Sequence, residues 1–251
     1  MAENELSSYL KSWVKDLVEK KSPLVNHPGF SGYLKDIVQY LRMPGHETQI
    51  NLQPCLDENS PQTPIDKYYF YQDTWAAQKI FEINPCRLVD IGSTALLVGI
   101  ISQSIPTISV DVRPLPVSLP GLTCISGTIK DLPFKGNRVE LVSSMCVIEH
   151  VGLGRYGDDL DTLGSIRAIK EISRIIKQGG SVLFSVPVSH STQLSFNAHR
   201  IFSKREILDL FPEGFVLQDE LFLFPEPGCE SDIAGLQESQ YCVWCAHMNK
   251  V

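Results

Sequence analysis

The stretch 88-LVDIGSTALLVGI-100 decides how this chain is read. An apolar run closes on an aspartate, a glycine follows, and an apolar segment with helical spacing comes next. That is the outline of a strand, a tight turn and a helix. Turns of this outline that cradle a nucleotide usually carry two or three glycines. Here Gly92 stands alone, and Thr94 and Leu96 occupy positions where more glycine is expected.

Downstream, β-branched runs predict strands at 87–91, 107–111, 123–126, 139–144 and 181–187. Segments 92–103 and 161–178 read as helices. The second carries Leu163, Ile166, Ile169, Ile172, Ile175 and Ile176 at helical spacing and stops at Gly179-Gly180. Alternation of strand and helix implies a mostly parallel sheet covered by helices. The tail differs: 215-FVLQDELFLF-224 and 240-QYCVWCAHM-248 are two strands with no helical pattern between them, hence an antiparallel pair at the sheet edge.

Upstream, Leu6, Leu10, Trp13, Val14, Leu17 and Val18 put an apolar face on a helix over 4–20, and Tyr33, Leu34, Ile37, Val38 and Leu41 do so over 31–42. Residues 43–64 form a polar, proline-punctuated connection. A third helix covers 66–82, ending at Asn84-Pro85; its aromatic stretch 66-DKYYFYQDTWAAQKIF-81 reads as packed on the sheet, the other reading being a lid with Tyr71 or Gln72 on a ligand. The chain thus divides into a helical extension and linker, 1–64, and an α/β domain, 65–251.

With 251 residues, 43% of them hydrophobic, a full core can be buried. Net charge is −7 and the basic residues are scattered, so no nucleic-acid partner is expected. Met1–Ser8 is polar and acidic, without a signal-peptide pattern, and no apolar run approaches the ~18 residues of a membrane span. No membrane insertion and a cytoplasmic location are expected. Seven cysteines, an odd number without framework spacing, suit a reducing compartment. Cys242 and Cys245 lie three apart on a strand, pointing to opposite faces rather than forming a metal or redox pair. No sequence pattern sets an oligomeric state.

In open α/β sheets, ligands sit beyond the carboxyl ends of the strands. Asp90 and Gly92 end the first strand. Asp111 ends the second, at a spacing suited to a carboxylate accepting both hydroxyls of a ribose. Asp131, after the third, is positioned to accept from an adenine amine. The fourth strand runs into Glu149-His150. G-x-G-x-x-G is absent, which sets aside a hydride-transfer enzyme.

On these residues the chain resembles class I S-adenosylmethionine-dependent methyltransferases of the broad "type 11" group. The matching segments are 88-LVDIGS-93, 107-TISVDV-112, 131-DLPF-134, 139-VELVSSMCVIEHV-151 and 170-KEISRIIKQGGSVLFSVP-187. More narrowly, 149-EHVGLGRYGD-158 and 197-NAHRIFS-203 resemble a methyltransferase-like family of unknown function. The resemblance implies a Rossmann-like, seven-stranded sheet with an antiparallel last pair, and S-adenosyl-L-methionine as cofactor. It sets Gly92 at the methionine moiety, Asp111 at the ribose, Asp131 at the adenine and residues 145–150 around the methyl group. The candidate cofactor residues are therefore Asp90, Gly92, Ser93, Thr94, Asp111, Asp131 and Met145. Family members usually carry glycine at the positions of Thr94 and Leu96; here Thr94 either bonds the cofactor carboxylate or blocks it.

Two polar segments, 149-EHVGLGRYGDDLDTLG-164 and 187-PVSHSTQLSFNAHRIFS-203, follow the fourth and fifth strands and converge on the same edge. The first also reads as a glycine turn whose acids cap the next helix. Methyl transfer needs alignment above all, and a hydroxyl acceptor adds a need for a base. His150 and then His199 are the candidate catalytic residues; Arg155, Tyr156, Asn197 and Arg200 are the candidate substrate residues. Nothing in the spacing of Glu149, His150, Asp158 and His199 fixes a metal. The function expected is methyl transfer to a small polar acceptor, such as a sugar or glycan precursor. The rival is a catalytically inactive binding or scaffold protein with a degenerate cofactor site.

Overall fold

A computed structural model of the chain describes residues 3–45, 49–224, 228–230, 233, 236–237 and 240–251. Residues 46–48 of the polar connection and the side chain of Leu6 lie outside the described residues. The chain falls into two compact units, Met1–Pro64 and Ile65–Val251.

In the first unit, helix α1 (Glu3–Glu19) and helix α2 (Phe30–Tyr40) flank a single 3-10 turn at Pro23–Asn26. The Trp13 ring packs against Phe30 at 5.9 Å and Tyr33 at 6.3 Å, so the apolar stripe reads out as a contact between the two helices. Val18, at the end of that stripe, is exposed.

The second unit opens with α3 (Lys67–Ile83), capped by the Asp66 carboxylate, which accepts from the Tyr69 N–H; it ends at Asn84 in the left-handed conformation. Then follow β1 (Leu88–Ile91), α4 (Ala95–Ile101), β2 (Thr107–Asp111), β3 (Leu122–Ser126), β4 (Val139–Met145) and a 3-10 turn at Ile148–His150. Next come α5 (Gly164–Ile175), β5 (Ile176–Ser189), β6 (Gln193–Ser195), β7 (His199–Ser203), α6 (Lys204–Asp209), β8 (Phe215–Phe224), β9 (Gly228–Glu230) and β10 (Cys242–Lys250).

The sheet runs β3-β2-β1-β4-β5-β10-β8-β9. The first five strands are mutually parallel; β10 is antiparallel to both β5 and β8. This is the parallel-dominated α/β sheet with antiparallel C-terminal strands. The outcome is richer than seven strands in two respects. The antiparallel pair joins the sheet through β10, which lies between β5 and β8, and β6, β7 and β9 add three short strands. β6 and β7 make a hairpin out of the segment expected to be a loop, and β7 extends the sheet beside the end of β5.

Side-chain alternation along the strands divides the core. Val89, Ile91, Phe184 and Trp244 face one side with Ile169, Ile172 and Ile175 of α5. Leu88, Leu141 and Leu183 face the other with Trp75, Ala76 and Ile80 of α3 and Leu97 and Ile101 of α4. Cys242 belongs to the first side and Cys245 to the second.

Three helix ends differ from the sequence reading, one of them the start of α5, at Gly164 rather than 161. α4 starts at Ala95, not at 92, because Thr94 is its N-cap, accepting from the Leu97 N–H. α5 ends at Ile175, before the glycine pair. The backbone N–H groups of Asn137 and Arg138 donate to the carbonyls of Arg174 and Ile175 at 2.9 and 2.8 Å, taking the last helical acceptors early. Gly179, at φ +73°, then lies in a bulge of β5, and Ser181 rejoins Leu141 of β4.

Candidate functional site

A cleft opens at the carboxyl ends of β1, β2 and β4, with ≈ 720 Å³ of empty space counting its open mouth. Gly92 forms its floor at φ +66°. A side chain there would meet Val147 at 3.2 Å and the Asp111 carboxylate at 3.6 Å, so glycine leaves a cradle between them. Asp111 turns one carboxylate oxygen to the Arg113 N–H at 2.7 Å and the other toward Gly92. Thr128, Ile129 and Lys130 form the wall after β3; Cys146, Val147, His150 and Val151 form the wall after β4.

The turn that opened the question resolves differently from either expectation for Thr94. Its hydroxyl donates to Asp73 of α3 at 2.6 Å while capping α4, so it neither lines the cleft nor obstructs it. Leu96 is 73% exposed on α4 and likewise leaves the cleft free. Asp90 sits beneath the turn. Its carboxylate accepts from the Ser93 N–H at 3.2 Å and the Ser143 hydroxyl at 2.6 Å, and burial pushes its pKa up to about 6. Ser93 in turn accepts from the Met145 N–H at 3.1 Å. Asp90, Ser93 and Thr94 hold the turn in shape; of this stretch, Ile91 and Gly92 line the cleft. Met145 is buried in the α3-side core, leaving its neighbours Cys146 and Val147 to face the ligand space. Asp131 is exposed outside the cleft, since the turn presents residues 127–130 instead.

The fourth strand ends in a buried polar group. Gln72 of α3 accepts from the Ser185 hydroxyl at 2.7 Å and the Cys146 thiol at 2.9 Å, so it is sheet packing rather than a lid; Tyr71 is exposed. Glu149 is fully buried, its Oε2 has no partner among the described residues, and burial pushes its pKa up to about 8. His150 is largely buried, which pushes its pKa down to about 4, and its Nδ1 lies 2.7 Å from the Ala198 carbonyl. The carbonyl only accepts, whereas the Arg155 guanidinium, 3.4 Å from the same nitrogen, only donates; the much shorter contact assigns the proton to Nδ1 and leaves the lone pair on Nε2. Glu149 Oε1 is 3.7 Å from that Nε2.

The loop 152–163 and the β6–β7 hairpin do converge. The His150 ring packs edge-on to Tyr156 at 5.4 Å and to His199 at 6.4 Å. Tyr156 lies between two guanidinium groups, Arg113 at 4.5 Å and Arg155 at 5.1 Å from its centroid. Arg155 also donates to Ala198 O at 3.0 Å. Arg200 does not face the cleft. Its guanidinium donates to the Val151 carbonyl at 2.6 Å, Ser165 Oγ at 3.2 Å and the Asp161 carbonyl at 3.1 Å, lacing the glycine loop to the hairpin. Asn197 is exposed at the hairpin turn. Both readings of the glycine loop hold in part. Asp161 accepts from the Leu163 N–H at the start of α5, and a side chain at Gly152 or Gly164 would strike the backbone of Asp161 or Val151; Tyr156 and Asp158 nonetheless line the cleft. Among the described residues, no group of three or more His, Cys, Asp or Glu is disposed to hold a metal.

A family model described as "Caenorhabditis protein of unknown function, DUF268" matches residues 130–218, about a third of the chain, spanning both loop motifs. No curated protein sequence matches. Among solved structures, a geranyl diphosphate methyltransferase in complex with GPP and sinefungin aligns with a TM-score of 0.52 at 15% identity, over 71% of this chain and 79% of its own. A putative sarcosine dimethylglycine methyltransferase from Galdieria sulphuraria aligns at 0.51 and 13% identity, covering 72% and 86%. The [4+2]-cyclase SpnF aligns at 0.50 and 13% identity, covering 70% and 81%. The fold is that of the class I methyltransferases.

Sequence reasoning passed over Arg113, Thr128, Lys130 and Asp158 as cleft residues, while Cys146 and Val147 fall within the 145–150 that the resemblance set around the methyl group. Arg113 had a usable signal, standing two residues beyond a strand-terminal acid and just before Pro114.

Proposed function

We propose that the cleft binds S-adenosyl-L-methionine and that unit 65–251 transfers its methyl group to a small polar acceptor, such as a sugar or glycan precursor, with His150 as general base. The observation that carries the reading is the His150 ring, which lines the cleft and is held by the Ala198 carbonyl in the neutral tautomer, with Nε2 unprotonated. The residues fit the cofactor. The Gly92 cradle admits an extended chain against Val147, Asp111 retains a carboxylate oxygen beside it for a ribose diol, and Thr94 and Leu96 stand clear.

When bound, the cofactor supplies an electrophilic methyl carbon whose bond to sulfur breaks as the bond to the acceptor forms. The chain's own residues orient and exclude water. Tyr156, with the Arg113 and Arg155 guanidinium groups 4.5 and 5.1 Å from its ring centroid, lines the cleft beside His150. Nε2 of His150 takes the acceptor's proton. Burial, which lowers its pKa to about 4, keeps it unprotonated throughout the neutral range, at the cost of making it a weaker base. His199, 6.4 Å from His150, stands as the second candidate base, on the β7 side. We further propose a cytoplasmic location, on the cysteine usage and the reducing compartment it suits. Among the described residues no helix is long and apolar enough to cross a membrane.

The test is calorimetric titration with S-adenosylmethionine and S-adenosylhomocysteine, followed by an acceptor screen read by transfer of labelled methyl. Micromolar binding is expected. No binding at millimolar ligand would overturn the reading in favour of a scaffold that kept only the sheet.

A further inference from the structure

We infer that Asp158, from the glycine loop, accepts the 6-amino group of the cofactor's purine, and that Asp131 plays no part in holding it; the inference rests on the cofactor reading above. The base end of the cleft is bounded by Val112 and Arg113 after β2 and by Thr128 and Lys130 after β3. The loop spans these walls. Tyr156 stacks under the Arg113 guanidinium at 4.5 Å, and Asp161 meets Lys130 Nζ at 3.7 Å on the other side. Tyr156 and Asp158 therefore face the space where a planar base lies between the walls.

The two oxygens of Asp158 differ in their surroundings. Oδ2 accepts from the Gly152 N–H at 2.6 Å, which fixes the carboxylate. Oδ1 is closed off from solvent and has no donor among the described residues. A buried carboxylate oxygen without a donor is costly, so a ligand bringing an N–H to that point is favoured over one bringing a carbonyl. The other cleft acid, Asp111, spends one oxygen on the Arg113 N–H and turns the second to Gly92. The ligand class is thus a 6-aminopurine nucleoside, with a 6-oxopurine rejected.

The experiment is calorimetry on the full chain with S-adenosylhomocysteine and S-inosylhomocysteine, which differ in the amine or carbonyl at that position. The wild type is expected to prefer the adenosyl compound by at least about tenfold, the scale of one hydrogen bond to a charged group. In Asp158→Asn the Gly152 N–H still demands an oxygen, so the amide nitrogen takes the place of Oδ1 and offers a donor. The preference then collapses or inverts, while Asp131→Asn keeps it. Equal binding of both compounds by the wild type, an intact preference in Asp158→Asn, or its loss in Asp131→Asn each overturns the assignment. Should Asp158→Asn fail to fold, the wild type and Asp131→Asn still decide it. Binding of neither compound at millimolar concentration removes the cofactor reading itself, and this inference with it.

Discussion

The Ala198 carbonyl stands 2.7 Å from Nδ1 of His150, 48 residues away in the chain. A backbone acceptor on the β6–β7 hairpin thereby sets which nitrogen of a ring on the β4 loop is basic. His150→Ala is expected to lower methyl transfer at least about a hundredfold, the usual contribution of a positioned base, with S-adenosylhomocysteine affinity within a few-fold. Lost cofactor affinity with preserved turnover would remove His150 from its role.

Protonation of Glu149 should leave a mark on stability. Its folded pKa, about 8, lies above the ordinary 4.5, so its contribution is complete below pH 4.5 and is lost as pH rises through 8. Asp90, raised to about 6, acts in the same direction at lower pH. His150, lowered to about 4 from 6.5, acts oppositely: its contribution is present above pH 6.5 and lost as pH falls toward 4. Between pH 6.5 and 8 Glu149 alone of the three titrates. There the wild type should lose about 2 kcal/mol, and Glu149→Gln should remove that slope. Urea melts at the two pH values give the answer, and parallel slopes would refute the burial argument.

Arg200 forks across two carbonyls and a hydroxyl. Arg200→Ala should cost about 2 kcal/mol of folding stability, because the Val151 carbonyl and the Ser165 hydroxyl, both on buried residues, lose this donor, while the Asp161 carbonyl keeps the Gly164 N–H; lysine should rescue only part. A raised KM with unchanged melting would instead return Arg200 to the acceptor site.

Glycines of the loop should sort by space. Gly152 sits at φ +80° with the Asp161 carbonyl where a Cβ would go; Gly157, at φ +85°, has nothing within 4 Å. Gly157→Ala is expected to cost about 1–2 kcal/mol from backbone strain alone. Gly152→Ala must also displace the loop and should cost at least about 3 kcal/mol. Equal losses in denaturant midpoint would mean the loop yields freely.

Restoring the missing glycine should not help. Thr94→Gly removes the bond to Asp73 and weakens the α4 cap, for an expected loss of about 1–2 kcal/mol, and leaves cofactor affinity within twofold. Tighter binding in the variant would show that Thr94 does crowd the cleft.

The sheet was legible because each strand is a β-branched run between turn residues, and strand ends locate the cleft; Gly92 and Asp111 followed from that alone. Helix ends were less so. The stop of α5 depends on donors from Asn137 and Arg138, which no local pattern in 164–180 announces. The hairpin at 193–203 alternates only over Gln193–Phe196 before its turn, too short a run to mark a strand, so it read as a loop. Arg200 was misread because its partners are carbonyls of a loop 39 to 49 residues away, and a carbonyl has no sequence signature. Asp131 was misread through the phase of one turn, which aims 127–130 inward.

Gln72 plugs the sheet from α3, with Ser185 and Cys146 both donating to one amide oxygen. A fragment trimmed to begin at β1 would strand those two donors and uncover the apolar face beneath Trp75, Ala76 and Ile80. The smallest piece able to fold unaided therefore starts at the Asp66 cap, and protease digestion from the N-terminal side is expected to halt there. A gene truncated at residue 87, or at 130 where the family model begins to match, is expected to yield insoluble material, however well its remaining strands are preserved.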